Sequence, residues 1–347
     1  MSIEEIRKFS NEIGSKIHFD YDLKKSNWFN IGGQTKVYFK PDSLPELILF
    51  LKKFSSEINS KIYFDYDLKK SNWFNIGGKT KVYFKPESLS DLAMFLKNFG
   101  DNEKIFIIGA GSNILISDST FDGIVIKLGK NFSNISLLPN GIIVAGSACA
   151  DTKLSNFAME NEIGGLEFLA CIPGTIGGGL RMNAGCFNKE FKDILISIQA
   201  IERSGRVITI PADKVIFEYR NNNLDKDLIF LSASFKGDKK DKNQIEKEIF
   251  KLKNRKDENQ PTKIKTSGST FKNPINQTSK KVWELIKESV PLGKTFGDAC
   301  ISNKHCNFFV NKNNATFNDM NKLIEFVKQR VEEKTGIKLE EEIRILK

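Results

Sequence analysis

Three short stretches of this sequence carry side chains able to move protons or steady charge. They are TSGSTFKNP at Thr266–Pro274, FEYRNNNL around Tyr219 and Arg220, and LEEEIRIL with Glu342 and Arg344. Ser269 lies among small residues and is followed by Phe271, Lys272 and Asn273. A serine in a Gly-Ser setting is most simply a turn residue. A serine hydrolase would need a nucleophile elbow and a base, yet there is no G-x-S-x-G and only His18 and His305 could complete a pair. Arg220 and Glu342, each taken singly, read more simply as surface charge.

Two glycine-rich stretches are the complementary half of any site. In IFIIGAGSNILISD (Ile105–Asp118) an apolar strand runs into Gly109-Ala110-Gly111-Ser112-Asn113. Glycines there let successive backbone N–H groups turn inward as an anion-binding nest. A dinucleotide fingerprint would need a third glycine and then a helix. Here Ile114 occupies that place and ILIS reads as another strand, so a phosphate-gripping loop and a plain tight turn both remain open. In GLEFLACIPGTIGGGLRMNAG (Gly165–Gly185), Pro173-Gly174-Thr175, Gly177-Gly178-Gly179 and Asn183-Ala184-Gly185 alternate with apolar residues. Glycine costs roughly 0.5–1 kcal/mol relative to alanine in regular structure. Such a cluster fits a buried, shaped loop whose backbone presses against something flat or anionic.

The elements that must position these stretches read as α+β. Strands are expected at 104–108, 123–127, 142–145, 194–202, 206–210 and 228–235, and a helix from Asp151. Residues 236–260 read as a charged, solvated helical connector. Helices over 280–289 and 318–335 flank a strand in HCNFFVN, and IKLEEEIRIL closes the chain as one more strand.

Upstream, SNWFNIGG occurs twice, at Ser26–Gly33 and Ser71–Gly78, inside a repeat in which residues 16–54 and 61–99 differ at only eight aligned positions. A solenoid needs three or more diverged units, so a tandem duplication is the reading. Each copy has the pattern turn, strand, helix. Only the second leads straight into EKIFIIGAGSN, so it is expected in the native sheet, with the first as an extra unit; the reverse assignment would leave a long slack linker.

The 347 residues suffice for two or three domains, with 40% hydrophobic and 28% charged residues and a net charge of +10. Lysines are scattered among acids rather than striped, which suits an anionic small substrate better than nucleic acid. No stretch approaches the roughly 20 apolar residues of a membrane span. The polar N-terminus carries no signal-peptide core, so a cytoplasmic protein is expected. The five cysteines form no C-x-x-C pair and are expected reduced and structural, with no metal site.

In order, NWFNIGGKTKVYFKP, IIGAGSNILISD, GLEFLACIPGTIGGGLRMNAG, YRNNN, SGSTFKNP, KHCNFFVN and LEEEIR resemble the UDP-N-acetylenolpyruvoylglucosamine reductase (MurB) family, over roughly Leu68 to the C-terminus. The short stretch between Arg220 and Ser269 resembles the family's shorter, second type. The resemblance implies a two-part FAD-binding domain of the PCMH (vanillyl-alcohol-oxidase-like) type and a C-terminal α+β substrate domain. The expected boundaries are 1–60 (extension), 61–238 (FAD domain) and 239–347 (substrate domain), the last strand returning Glu342 to the site. It implies FAD held by Gly109, Ala110, Gly111, Ser112 and Asn113, lined by Pro173, Gly174, Thr175, Gly177, Gly178, Asn183, Ala184 and Gly185, and completed by Ile76, Gly77 and Gly78.

NADPH would reduce the flavin, and a hydride would pass to the β-carbon of the enolpyruvyl ether of UDP-N-acetylglucosamine. By matching motifs, Ser269 is similar to the family's proton donor, and Arg220 and Glu342 to the groups that stabilise and polarise the intermediate. Tyr219, Lys272, Asn273, His305 and Arg344 are the implied substrate contacts, His305 standing equally as a structural histidine. A monomer is expected. Departures from the pattern are Cys171 before Ile-Pro-Gly, Glu341 where proline is common, and Cys306. The alternatives are another PCMH-type flavin oxidoreductase, or a basic nucleotide- or RNA-binding protein without catalysis.

Overall fold

The computed structural model describes residues 3–11, 16–26, 31–43, 45–46, 49, 60–99, 103–262 and 264–347. Two sheets carry the first domain. One has four strands in the order Lys61–Asp67, Lys79–Lys85, Phe121–Ile126, Ile105–Ile107; the first pair is antiparallel and the other two pairings are parallel. Lys79–Lys85 lies inside this sheet, with Thr80, Val82 and Phe84 buried on one face and Tyr83 on the other, while Lys79 and Lys81 are exposed. Val82 and Phe84 face one core with Leu92, Phe95 and Leu96 of the helix Leu89–Phe99, and Tyr83 faces another with Leu68, Val125 and Leu346. The second sheet is antiparallel, in the order Val207–Pro211, Leu195–Ile201, Ile229–Phe235, Ile143–Gly146, Ile135–Leu137. Ile201, Ile229 and Leu231 reach across to Val82, Phe84, Ile124 and Ile126, so the two sheets share a core.

The two copies of the repeat fold alike locally and differ in what surrounds them. Ile17–Asp22 pairs with Gln34–Phe39 in the same register as Ile62–Asp67 with Lys79–Phe84. Among the described residues the first hairpin pairs with no further strand, whereas the second is built into the four-stranded sheet. The first hairpin has a small core of its own, in which Ile6 and Phe9 of the helix Ile3–Phe9 cover Ile17, Phe19 and Val37. The helix expected in the first copy falls mostly outside the described residues, as do 27–30 of its motif. The motif itself shows the contrast. Phe74 and Ile76 of the second copy are 0% and 1% exposed and sit in the core of the C-terminal domain, while Ile31, the counterpart of Ile76, is 76% exposed.

That C-terminal core is formed by the helices Val282–Ser289 and Phe317–Thr335 against a three-stranded sheet, Thr295–Phe296, Ala299–Ile301 and Phe309–Asn311. Thr316 and Asp319 cap the start of the long helix reciprocally, and Gly336 (φ 72°) ends it. Two expected strands are shorter than their apolar runs. HCNFFVN gives only Phe309–Asn311, because residues 305–308 close a turn in which the Phe308 N–H donates to the His305 carbonyl at 2.9 Å. The closing run gives only Arg344–Leu346, which pairs in parallel with Ile114–Ile116 of the first domain.

The charged helix Lys242–Asn259 is present, but it is docked rather than solvated all round. Ile245 and Ile249 bury against Ala170 and Met159 of the first domain. By packing, this helix sits against the first domain.

Candidate active site

The two glycine-rich loops converge. An ideal Cβ placed on Gly109 would lie 2.5 Å from Thr175 Oγ1, and one on Gly174 would lie 2.8 Å from Asp151 Oδ2 and 3.9 Å from Ser112 Oγ. Gly111 (φ +70°) has a second reason to be glycine: a Cβ there would stand 2.1 Å from the Ser71 carbonyl oxygen of the SNWFNIGG segment. Among the described residues, the N–H groups of Gly109, Ala110, Gly111, Ser112 and Asn113 donate to no protein acceptor. A run of unpaired backbone donors is costly unless it meets water or an anion. Such a run has the donor chemistry that a pyrophosphate-holding loop would use.

Behind the loops lies Asp151, the first residue of the helix Asp151–Glu160. It is 0% exposed, neither carboxyl oxygen has a hydrogen-bond partner, and burial pushes its pKa well above the ordinary carboxylate range. A negative phosphate nearby is compatible with an acid held neutral, and would be repelled by an ionised one.

Opposite these loops, Arg220 and Glu342 form an ion pair, Nε to Oε1 at 2.8 Å, with both side chains mostly buried. Arg220 has a left-handed backbone (φ 59°), and its other nitrogens point at the Asn183 and Gly185 carbonyls at 3.5 and 3.3 Å. The guanidinium thus bridges the second glycine loop and the C-terminal segment. Burial pushes the Glu342 carboxyl up, and Arg220 only partly opposes it; burial works against the Arg220 charge, but Glu342 more than offsets that. Together they are a retained cation beside a carboxyl able to hold a proton.

Ser269 arrives by backbone pairing. It bridges Phe308, and the next carbonyl, Thr270 O, accepts the Glu342 N–H at 2.8 Å. Its hydroxyl has no hydrogen-bond partner among the described residues, and the space beside the preceding Gly268 is open. Asn113 ties the glycine nest to the same segment, donating from Nδ2 to the Glu342 carbonyl at 3.0 Å and accepting the Arg344 N–H at 3.0 Å. So the C-terminal chain is strapped to the nest, and Glu342 and Ser269 hang from neighbouring backbone.

The expected substrate contacts gather around this pair to different degrees. The Tyr219 hydroxyl accepts from Asn273 Nδ2 at 3.3 Å, and the Tyr219 ring lies 5.0 Å from the Arg220 guanidinium carbon. Lys272 pairs with Glu340 at 3.3 Å and is close enough to Glu342 to favour its ionised form. His305 accepts the Asn307 N–H on Nδ1 at 3.2 Å, lies edge-on to Phe308, and has its pKa lowered by burial. Arg344 is exposed, with its backbone on Asn113.

Four expected cofactor residues have packing work in the structure. The Asn72 side chain takes up both the N–H and the carbonyl of Ile76, at 3.4 and 2.8 Å. A Cβ on Gly78 would stand 2.3 Å from the Asp118 carbonyl oxygen, and Gly77 lies against Ile116. The Asn183 side chain is wholly engaged with Glu190, the Glu218 carbonyl and the Lys192 N–H. These residues shape the loops that face the site.

Sequence reasoning passed over Asp151, Asn307 and Arg181. Asn307 brackets Phe271, accepting its N–H at 3.0 Å and donating to its carbonyl at 2.9 Å, and so holds the Ser269 strand. Arg181 donates to the carbonyls of Leu224, Asp225 and Leu228 and covers the Phe230 ring, and burial lowers its pKa to about 10. An arginine inside the glycine cluster was the available signal.

Residues 260–346 match the family described as UDP-N-acetylenolpyruvoylglucosamine reductase, C-terminal domain, and residues 80–211 match the FAD binding domain family. The chain is 68% identical over 347 residues to the UDP-N-acetylenolpyruvoylglucosamine reductase of Pelagibacter ubique, covering all of both chains. The chain belongs to the UDP-N-acetylenolpyruvoylglucosamine reductase family. It is also 46% identical to the Rickettsia conorii reductase over 94% of each chain. The crystal structure of the Thermus caldophilus reductase superposes with a TM-score of 0.71 at 26% identity, over 83% of this chain and 99% of that one. The protein is accordingly a flavin-dependent oxidoreductase of peptidoglycan precursor synthesis, on a PCMH-type FAD domain, in a family that uses FAD and NADPH. The unpaired N–H run and the convergent glycine loops fit that cofactor, and burial disfavours a competing negative charge on Asp151. Among the described residues no helix is long and apolar enough to cross a membrane.

Proposed function

We propose that Ser269 delivers the proton and that Arg220 and Glu342 steady the charge in the reduction of the enolpyruvyl ether of UDP-N-acetylglucosamine to the lactyl ether. FAD, held by these residues, would supply two-electron hydride chemistry between NADPH and the substrate's β-carbon. The residues of this chain handle the rest. A hydride at the β-carbon leaves negative charge at the α-carbon, spread into the substrate carboxylate. Arg220 is fixed by Glu342 and two carbonyls, and so is a preorganised cation that need not reorient when that charge develops. Glu342, biased by burial toward holding a proton, can share it with the carboxylate.

Ser269 is a weak acid, so it donates only to a strongly basic carbon, which the α-carbon of the enolate is. Its unpartnered hydroxyl is free to do so. The backbone N–H groups of 109–113 hold the cofactor's pyrophosphate, and the loops at 173–178 and 183–185 line its ring system. Tyr219 and Asn273 orient the substrate, while Lys272, Arg344 and neutral His305 meet its phosphates and carboxylate. The enzyme works on these small molecules as a cytoplasmic monomer without nucleic acid; the interleaved, unstriped charge supports that reading.

The observation that carries the proposal is the Arg220–Glu342 pair, joined through Thr270 to Ser269 and through Asn113 to the glycine nest. Ser269→Ala tests it. The variant should bind FAD and lose its flavin absorbance on adding NADPH, and then fail to recover that absorbance when substrate is added. Recovery at the wild-type rate would remove Ser269 from the proton transfer.

A further inference from the structure

Five cysteines are present and none is bridged. Two of them differ from the rest in having each other. Cys171 ends the fully buried 3-10 turn Glu167–Cys171, and Cys186 ends the short strand Gly185–Cys186, which pairs with Lys189–Glu190. In a 3-10 turn, residues three apart lie above one another, so Phe168 and Cys171 share an edge. Cys186 is seated on that edge: its thiol donates to the Phe168 carbonyl at 3.3 Å. Across that edge each thiol is the leading influence on the other's ionisation: Cys171 is pulled below the usual thiol range and, together with burial, Cys186 is pushed up. Cys149, Cys300 and Cys306 are each raised mainly by burial, with no second thiol among the groups that shift them.

The placement of the pair matters. Cys171 directly precedes Ile172-Pro173-Gly174, and Cys186 directly follows Asn183-Ala184-Gly185. The two sulfurs therefore stand at the roots of the two segments assigned to the flavin. We propose that Cys171 and Cys186 are a reversible disulfide site, oxidised by small hydroperoxides, whose closure locks the two cofactor-lining segments together. A thiolate of the pair attacks the peroxide oxygen, giving a sulfenic acid and hydroxide. The second thiol then displaces the sulfenic hydroxyl as water and forms the S–S bond. Two thiols and one hydrogen peroxide become one disulfide and two waters. A small oxidant suits a site where one sulfur is buried and the other only partly exposed. In a reducing compartment such a bond would be transient rather than structural.

The bond itself does not depend on the cofactor; its consequence rests on the FAD assignment, and the experiment separates the two. The flavin-loaded enzyme is treated with hydrogen peroxide, blocked with N-ethylmaleimide and digested with trypsin. The expected product joins peptide 154–181 to peptide 182–189 with the loss of two hydrogens. It should disappear on dithiothreitol treatment and be absent from Cys171→Ala and Cys186→Ala. Independently cleaved peptides, with Cys171 and Cys186 alkylated or carrying sulfinic acid, would overturn the site. So would a link made instead to Cys149, Cys300 or Cys306.

The second readout is flavin release at a fixed urea concentration, followed by the rise in flavin fluorescence. Oxidised wild-type enzyme should release FAD several-fold more slowly than reduced enzyme, because a cross-link restricts the opening of the loops it spans. The alanine variants should show no response to peroxide. A cross-link without slower release would overturn the lock while leaving the flavin assignment intact; protein purified without any flavin absorbance would overturn that assignment instead.

Discussion

Arg220 and Glu342 meet through Nε and Oε1 at 2.8 Å although 122 residues separate them in the chain. The contact depends on the last strand leaving the C-terminal domain and pairing with Ile114–Ile116 beside the glycine nest. Glu342, from the C-terminal domain, thereby holds the first domain twice: its side chain fixes the cation, and its backbone carbonyl anchors Asn113.

Glu342→Gln keeps the shape of the contact and removes the charge. The half-reaction with substrate should slow by about 10²-fold or more, in the range of a lost general-acid or electrostatic group. Reduction of the flavin by NADPH should change little. Stopped-flow absorbance of the two half-reactions checks this, and equal slowing of both would mark Glu342 as a folding residue.

Ile76→Ala and Ile31→Ala are the same change in the two copies of one motif. Ile76 is buried in the C-terminal core, so its truncation should cost about 2–5 kcal/mol. Ile31 is exposed, and its truncation should stay within about 0.5 kcal/mol. Urea unfolding midpoints with unchanged slopes would show the difference.

Removing residues 1–59 should leave flavin binding and turnover near wild type. The helix Ile3–Phe9 packs on the first hairpin, so the two leave together. Ser60 should be kept, because its hydroxyl accepts the Glu87 N–H at 3.0 Å and donates to Asp91 at the start of the helix Leu89–Phe99. A truncated protein that purifies without flavin would show that the first copy supports the FAD domain.

Asp151→Asn should stabilise the protein at neutral pH. The folded-state pKa of Asp151 is raised by burial, so the folded chain holds a proton that the unfolded chain releases above about pH 4. Wild-type stability from this group is complete below that pH and drains away as pH rises toward the folded pKa. The variant has no such proton to hold. The gap in unfolding free energy, asparagine over aspartate, should therefore widen as pH rises from about 4 toward the raised folded-state pKa. A constant gap would mean Asp151 is ionised in the fold.

Much of the fold was legible because local pattern and tertiary outcome agree. The Thr316–Asp319 capping box, Gly336 and the apolar spacing of Met320, Leu323, Ile324, Val327 and Val331 place a helix at Phe317–Thr335 from sequence and structure alike. The glycine loops were legible for a similar reason, since a backbone that must approach Ser71 or Asp151 tolerates no side chain. Asp151 and Asn307 were not legible. Nothing local distinguishes a helix-start aspartate in water from one sealed behind Gly174, or a turn asparagine from one bracketing Phe271.

By itself the sequence determined the repeating hairpin, the helices and strands, the glycine-rich nest and the residue types a reduction would need, because these follow from side-chain periodicity and backbone freedom. That the second copy enters the sheet was already expected from the chain that follows it; that its motif fills the C-terminal core, and which arginine meets which glutamate, were decided only in three dimensions. Identical segments have identical local preferences, and burial against distant chain is what separates them: Ile76 has Phe271 and the long helix to pack with, and Ile31 is 76% exposed.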